Sequence, residues 1–173
     1  MKLAKVCCVL FGMLLFSGCI KSDDDNVEEY VKVGDPVPVF SVSGETRVYS
    51  STEAGGKITL ICFFTTWCPN CHDELPKIQY VWDALSEDSG FELAAIGREE
   101  DLATIRKFWG ENSLTMPYYE DPGRDAYKKF ASATIPRCYI IGRNETVLEV
   151  VIGETAWTKE QWLAKVRSYV ETP

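Results

Sequence analysis

The densest apolar stretch of the chain lies between Lys57 and Thr65, where Ile58-Thr-Leu-Ile-Cys-Phe-Phe64 is nearly continuous and rich in β-branched and aromatic residues. Such a run suits a strand buried on both faces. Beyond it the period changes: Leu75, Ile78, Trp82 and Leu85 recur at spacings of three and four, which predicts a helix opening near Cys68 and kinked by Pro76. Phe91 to Ile96 predicts a second strand. Leu102, Ile105, Phe108 and Trp109 mark a second helix that gives out between Gly110 and Asn112. Met116 to Pro122 reads as loop or short strand, and Arg124 to Phe130 as a short helix. Cys138 to Ile141 reads as a strand paired with Val147 to Ile152 across the turn Gly142 to Glu145. Thr158-Lys-Glu-Gln161 is a capping box, opening a last helix whose buried face is Trp162, Val166, Tyr169 and Val170. Ahead of all these, Gly34 to Phe40 and Thr46 to Ser50 are extended pieces around the turn Ser43 to Glu45, an opening hairpin. The order describes an α/β fold with a mixed central sheet and helices on both faces.

The first residues have another character. Lys2 and Lys5 precede an apolar run from Val6 to Phe16, which ends in Ser17 and Gly18 before Cys19. It is too short to span a bilayer and has the form of an export leader. Leu15-Phe-Ser-Gly-Cys19 resembles the lipobox of bacterial lipoproteins, with Phe16 where leucine is usual. That resemblance implies lipidation of Cys19, which becomes the mature N-terminus. Residues 1–18 are therefore expected as a lipoprotein signal peptide, 19–33 as a lipidated acidic tether and 34–173 as the folded domain. Ile20 to Glu29 is polar and acidic without an apolar period. An acidic run just behind a lipidated cysteine resembles a surface-display signal. The residue after the anchor is Ile20, not the aspartate that resembles an inner-membrane retention signal. The expected location is the cell envelope, at the outer membrane, facing the periplasm or the surface.

Composition adds two limits. At 46% hydrophobic, the chain has enough apolar material for one core. With 26 acidic against 18 basic side chains, the net charge is −8, and loss of the leader removes two lysines more. No phosphate-binding surface, and so no nucleic-acid partner, is expected from that balance.

Seven cysteines are present. Cys7 and Cys8 leave with the leader and Cys19 is spent on lipid, so Cys62, Cys68, Cys71 and Cys138 remain for the domain. In an oxidising compartment a cysteine pair is structural or catalytic, and spacing must decide. Cys68-Pro-Asn-Cys71 stands at a strand-to-helix junction. A thiol in the first turn of a helix faces unpaired N–H groups and the positive end of the dipole, which favour the attacking thiolate. Cys68 has that seat, and Cys71 lies one turn deeper. Cys68 is thus expected to attack a substrate disulfide, and Cys71 to attack the mixed disulfide and release the product. His72 completes a literal Cys-x-x-Cys-His, the string of covalent haem attachment. A c-type haem wants a second axial ligand, and the mature chain offers no other histidine and one methionine, Met116, in a loop. His72 is read instead as a helix-surface residue that modulates charge near the site; no metal site and no bound cofactor are expected.

Phe63-Phe-Thr-Thr-Trp-Cys-Pro-Asn-Cys-His-Asp-Glu-Leu-Pro76 resembles the active-site strand, turn and kinked helix of the thioredoxin superfamily, most closely its TlpA/ResA-type branch. The likeness extends from about Gly34 to Tyr169. It implies a thioredoxin-like three-layer fold with an N-terminal hairpin extension. Trp67 matches the tryptophan before the first cysteine and Pro76 the kink proline. Thr134-Ile-Pro-Arg-Cys-Tyr-Ile-Ile141 resembles the segment that carries the fold's cis-proline. Pro136 would then stand opposite the cysteines, leaving the backbone of Ile135 free to pair with an extended substrate. Trp67, Pro69, Asn70, Ile135 and Pro136 are therefore the expected substrate-contacting residues.

Two departures matter. Thioredoxins carry a buried acid six residues before the first cysteine, and here that position is Cys62. Glu74, on the same helix face as Cys71, matches a glutamate of the ResA-type branch and is expected to shuttle the proton of Cys71. The fold also places the strands of Cys62 and Cys138 side by side. A second disulfide is conceivable, but two small buried hydrophobes are the expectation.

The resemblance implies a thiol-disulfide oxidoreductase, a reductase of protein disulfides re-reduced by a membrane or soluble thiol electron donor. In that branch clients include apocytochromes being readied for haem attachment and copper-centre proteins. An oxidase or isomerase is the alternative within the chemistry. A metallochaperone gripping a soft ion between the two thiolates is the alternative outside it.

Overall fold

The computed structural model describes residues 29–53 and 55–172. The leader, Cys19 and most of the acidic segment lie outside the described residues. Strand β3 (Ile58–Phe64) is buried at every position, and its alternation divides the core. Leu60, Cys62 and Phe64 face one layer, Ile61 and Phe63 the other. The sheet has seven strands in the order β2-β1-β5-β4-β3-β6-β7. Its strands are β1 (Ser41–Gly44), β2 (Val48–Ser50), β4 (Phe91–Arg98), β5 (Tyr118–Asp121), β6 (Arg137–Ile141) and β7 (Val147–Ile152) around β3. β3, β4 and β5 are parallel, whereas β6, β7 and the N-terminal hairpin pair antiparallel. This is the expected mixed sheet, with the hairpin β1–β2 extending it beyond β5.

Helices α1 (Pro69–Leu85), α2 (Leu102–Glu111) and α3 (Lys159–Val170) contribute to the first layer, where Leu75, Ile78, Phe108, Trp109, Trp162 and Val166 meet the sheet. The capping box of α3 is formed in both directions between Thr158 and Gln161. The other face is covered by a 3-10 turn (Tyr127–Lys129) and by aromatic packing. Phe130 sits 4.9 Å from Phe63, 4.8 Å from Tyr139 and 5.5 Å from Phe40, centroid to centroid. No helix among the described residues is long and apolar enough to cross a membrane.

Four expectations are corrected. Gly34 to Phe40 forms no strand, because Pro36 and Pro38 lack the N–H that a ladder needs; the hairpin instead joins Ser41–Gly44 to Val48–Ser50. The helix expected over Arg124 to Phe130 shrinks to the 3-10 turn. There the Asp121 carboxylate accepts the N–H groups of Ala126 at 3.0 Å and Tyr127 at 2.9 Å, a local alternative to helical bonding. Tyr169 is half-buried, its hydroxyl donating to Glu149 at 3.2 Å. Cys62 and Cys138 are disulfide-bonded, not two independent hydrophobes, because they stand directly opposite in the β3–β6 ladder with Cα atoms 4.1 Å apart.

Chain docking begins before Gly34. Tyr30 donates its N–H to Phe130 at 3.0 Å, Glu29 bridges Ala131 and Val31 is buried. Residues 29–33, read above as the end of the tether, therefore lie against the folded unit.

Candidate active site

Cys68 is the N-cap of α1, in extended backbone, and Pro69 occupies the first helical turn, where a missing N–H costs nothing. No side chain caps this end, so the amides and dipole of the first turn are left for a thiolate. Cys71, one turn in, is fully buried, and both cysteines are free thiols. Burial is the main cause that pushes the Cys71 thiol far above its ordinary value. Cys68 and the charge of Glu100 add to the rise, and a backbone hydrogen bond at Thr65 opposes it.

Opposite the helix start, the Ile135–Pro136 bond is cis, as the sequence resemblance implies. Cys68 Sγ points at the Ile135 carbonyl, 3.9 Å away. Thr134 holds a positive φ of 77°, a strained conformation for a β-branched residue. Two side chains hold it there from beneath. The Tyr127 hydroxyl donates to the carbonyls of Ala133 at 2.5 Å and Thr134 at 2.7 Å. Arg137, wholly buried, donates to the same two carbonyls at 3.1 and 3.3 Å, with Glu29 4.0 Å from its guanidinium. Around Cys68, Trp67 is 66% exposed, Pro69 and Asn70 are exposed, Ile135 is half-buried and Pro136 buried. The turn Trp67 to Asn70 and the Ile135–Pro136 loop are thus brought together. A groove of about 460 Å³, lined by Thr66, His72, Lys107 and Phe108 among others, lies between the start of α1 and α2.

Glu74 is no solvated helix residue; it is 1% exposed. Its carboxylate accepts from Lys77 Nζ at 2.8 Å, Thr155 N–H at 3.2 Å, Thr155 hydroxyl at 2.9 Å and Trp162 Nε1 at 2.6 Å. Thr155 and Trp162 tie α1 to α3 and the loop before it, Lys77 on α1 itself also donates to the Thr155 carbonyl at 2.9 Å, and none of these donors is a thiol. A different acid acts electrostatically on Cys71. Glu100, 7% exposed, accepts at Oε1 from the Thr66 N–H at 2.8 Å and the Thr66 hydroxyl at 2.6 Å, while its Oε2 is buried without a hydrogen-bond partner. The sequence reading passed over it. No local signal marked it: Phe64 and Gly97 are register partners in parallel strands, and only that register brings the residues just beyond them together at the carboxyl end of the sheet, where α/β sites form. His72 donates from Nε2 to the Thr66 carbonyl at 2.6 Å and packs its ring on Phe108 at 4.9 Å. Among the described residues no three His, Cys, Asp or Glu side chains gather in a way that could hold a metal ion.

A dithiol at a helix start, faced by a cis-proline loop on a mixed sheet, defines the thioredoxin-fold thiol-disulfide oxidoreductases. A family model described as AhpC/TSA family matches residues 33–150, more than half of the chain, and the chain belongs to that family. It is similar to the thiol-disulfide oxidoreductase ResA of Bacillus anthracis, with 27% identity over 135 residues that cover 78% of this chain and 76% of the relative. It is also similar to sporulation thiol-disulfide oxidoreductase A of Bacillus subtilis, with 29% identity over 110 residues covering 62% and 67%. Among solved structures, StoA from Bacillus subtilis superposes with a TM-score of 0.63 at 26% identity, covering 74% of this chain and 96% of that one. A thiol:disulfide interchange protein of the thioredoxin family from Chlorobium tepidum TLS superposes with a TM-score of 0.68 over 80% and 98%; at 23% identity this speaks to the fold alone. The ResA-type resemblance read from the active-site motif is borne out.

Proposed function

We propose that the protein is a disulfide reductase of the cell envelope. In this reading Cys68 attacks a client disulfide, Cys71 resolves the mixed disulfide, and a thiol electron donor restores the pair, with no bound cofactor. The observation that carries it is the asymmetry of the two thiols. Cys68 sits at the uncapped helix start beside the Ile135 carbonyl, and Cys71 is buried with its ionisation suppressed. A dithiol is strongly oxidising when its reduced form is stabilised as thiolate. The reducing direction is carried over from the ResA-type resemblance of the active-site segment.

Trp67, Pro69, Asn70, Ile135 and Pro136 form the client platform in this proposal, an extended client strand pairing with the backbone of Ile135. Glu74 is assigned a positioning role, holding α1 to α3. Glu100 adds a negative charge that helps to keep the proton on Cys71. Export by the 1–18 leader, lipidation at Cys19 and an outer-membrane location are carried over from the sequence. So are apocytochrome cysteines as a client class, in preparation for haem attachment. Titration of the Cys68–Cys71 pair against glutathione tests the direction. A strongly reducing midpoint supports a reductase. A midpoint at the oxidising end makes the protein an oxidase or isomerase, and tight metal retention without disulfide turnover makes it a metallochaperone.

A further inference from the structure

The four cysteines of the described residues contribute to one apolar cluster between the sheet and the helices, Cys68 and Cys71 from the helix side, Cys62 and Cys138 from the sheet side. The proposed reaction uses only the first two. Cys62 and Cys138 are 0% and 1% exposed, so a soluble thiol has no approach to them in the folded state. As a clamp the Cys62–Cys138 bond holds little in the native sheet. β3 and β6 are already joined along a ladder running from Thr59–Ile141 to Phe63–Arg137, at the centre of seven strands. That ladder keeps the two sulfurs adjacent whether or not they are bonded, so the pair can be opened and closed without moving the backbone. The thiols that share its cluster are those of the active site, and Cys71 is the one fully withdrawn from solvent.

We propose that Cys62–Cys138 is a second redox centre, loaded and discharged through Cys71. The inference rests on the reading of Cys68–Cys71 as an exchange site. In loading, Cys71 gives up its proton as it attacks one sulfur of the inner disulfide, forming a bond within the core and releasing the other inner cysteine as a thiolate. The Cys68 thiolate then attacks Cys71, closing the Cys68–Cys71 disulfide and releasing the second inner thiolate. Two electrons pass inward, the active-site pair is oxidised and the inner pair reduced. The two released thiolates take up the two protons that the attacking thiols gave up. An external dithiol then reduces Cys68–Cys71 again. The fully reduced chain holds four electrons, and discharge by the reverse route lets it open two client disulfides before meeting its donor.

Anaerobic titration of the folded protein with dithiothreitol, with thiols counted by mass tagging after an acid quench, tests this. The wild type is expected to yield four tagged cysteines in the domain. The double variant Cys62→Ala/Cys138→Ala is expected to yield two, with exchange at Cys68–Cys71 retained. Cys71→Ser is expected to slow reduction of the inner pair at least tenfold while the protein stays folded. If the double variant does not fold, a pre-reduced wild type freed of reductant serves instead, and opens two equivalents of a model disulfide per chain. A wild type that stops at two tagged cysteines, or opens one equivalent, overturns the proposal, as does an inner pair reduced equally fast in Cys71→Ser. In those cases an active Cys68–Cys71 pair leaves the reductase reading standing, whereas an inert one removes both.

Discussion

Glu100 holds the active-site turn through Thr66, accepting both its N–H and its hydroxyl on one oxygen and leaving the other buried without a hydrogen-bond partner. Its negative charge is one cause of the raised Cys71 pKa. Glu100→Gln removes the charge and keeps an acceptor for Thr66, so the Cys71 titration moves to lower pH. The alkylation rate of Cys71 against pH, compared with and without the substitution in a Cys68→Ser background, measures it. An unmoved or upward-moving curve would remove Glu100 from the site.

Glu74→Gln is expected to act on stability instead. The new amide turns a donor toward four existing donors and leaves Lys77, itself mostly buried, without its counter-charge. Breaking one side of a buried pair costs about 3 kcal/mol. Denaturant unfolding registers that loss, while the Cys71 titration stays in place.

Stability of the reduced protein is expected to fall in alkali. The Cys71 pKa lies above its ordinary value of 9.0 in the fold, so above that pH the unfolded thiol ionises while the folded one keeps its proton. The unfolded state then binds fewer protons, and stability drops by up to about 1.4 kcal/mol per pH unit. Below pH 9.0 the contribution is fully present. Unfolding at a series of pH values under reducing conditions, with Cys71→Ser as the comparison, isolates this slope; equal slopes in the two proteins would refute it.

The division of labour between the active-site thiols predicts opposite phenotypes. Cys68→Ser abolishes disulfide exchange, whereas Cys71→Ser still attacks and accumulates mixed disulfides through Cys68 that dithiothreitol releases. Trapping in the native host also recovers the clients. Equal alkylation rates for Cys68 and Cys71 in the reduced wild type would contradict the assignment.

Tyr127→Phe tests the support of the cis-proline loop. It removes the hydroxyl that bonds the carbonyls of Ala133 and Thr134, leaving Arg137 to hold them alone. A cost of about 1–2 kcal/mol is expected. Exchange with a peptide disulfide slows as well, because Ile135 loses its fixed presentation. Peptide kinetics at saturating and limiting substrate separate this from a general loss of fold.

What the sequence made legible was local. The continuous run of Ile58 to Phe64, the apolar spacing from Leu75 to Leu85 and the box at Thr158 and Gln161 each declare an element within a few residues. The cis form of Pro136 came through likeness to a family, since nothing local separates it from a trans proline entering a strand. Relations between strands stayed hidden. Cys62 meets Cys138, and Thr66 meets Glu100, because of registers that neither segment carries alone. The surroundings of Glu74 were hidden for the same reason, since Thr155 and Trp162, more than eighty residues away, donate to its oxygens.

The sheet order also sets a timetable for a chain made from its N-terminus. β1 and β2 find their neighbour only when β5 has emerged, and β3, the central strand, lacks one partner until β6 follows. The unit β3-α1-β4 can assemble early from near contacts. Through that interval Cys62, Cys68 and Cys71 are all present and Cys138 is not. The native companion of Cys62 is the last cysteine to arrive, so correct pairing requires oxidation to lag behind completion of the chain.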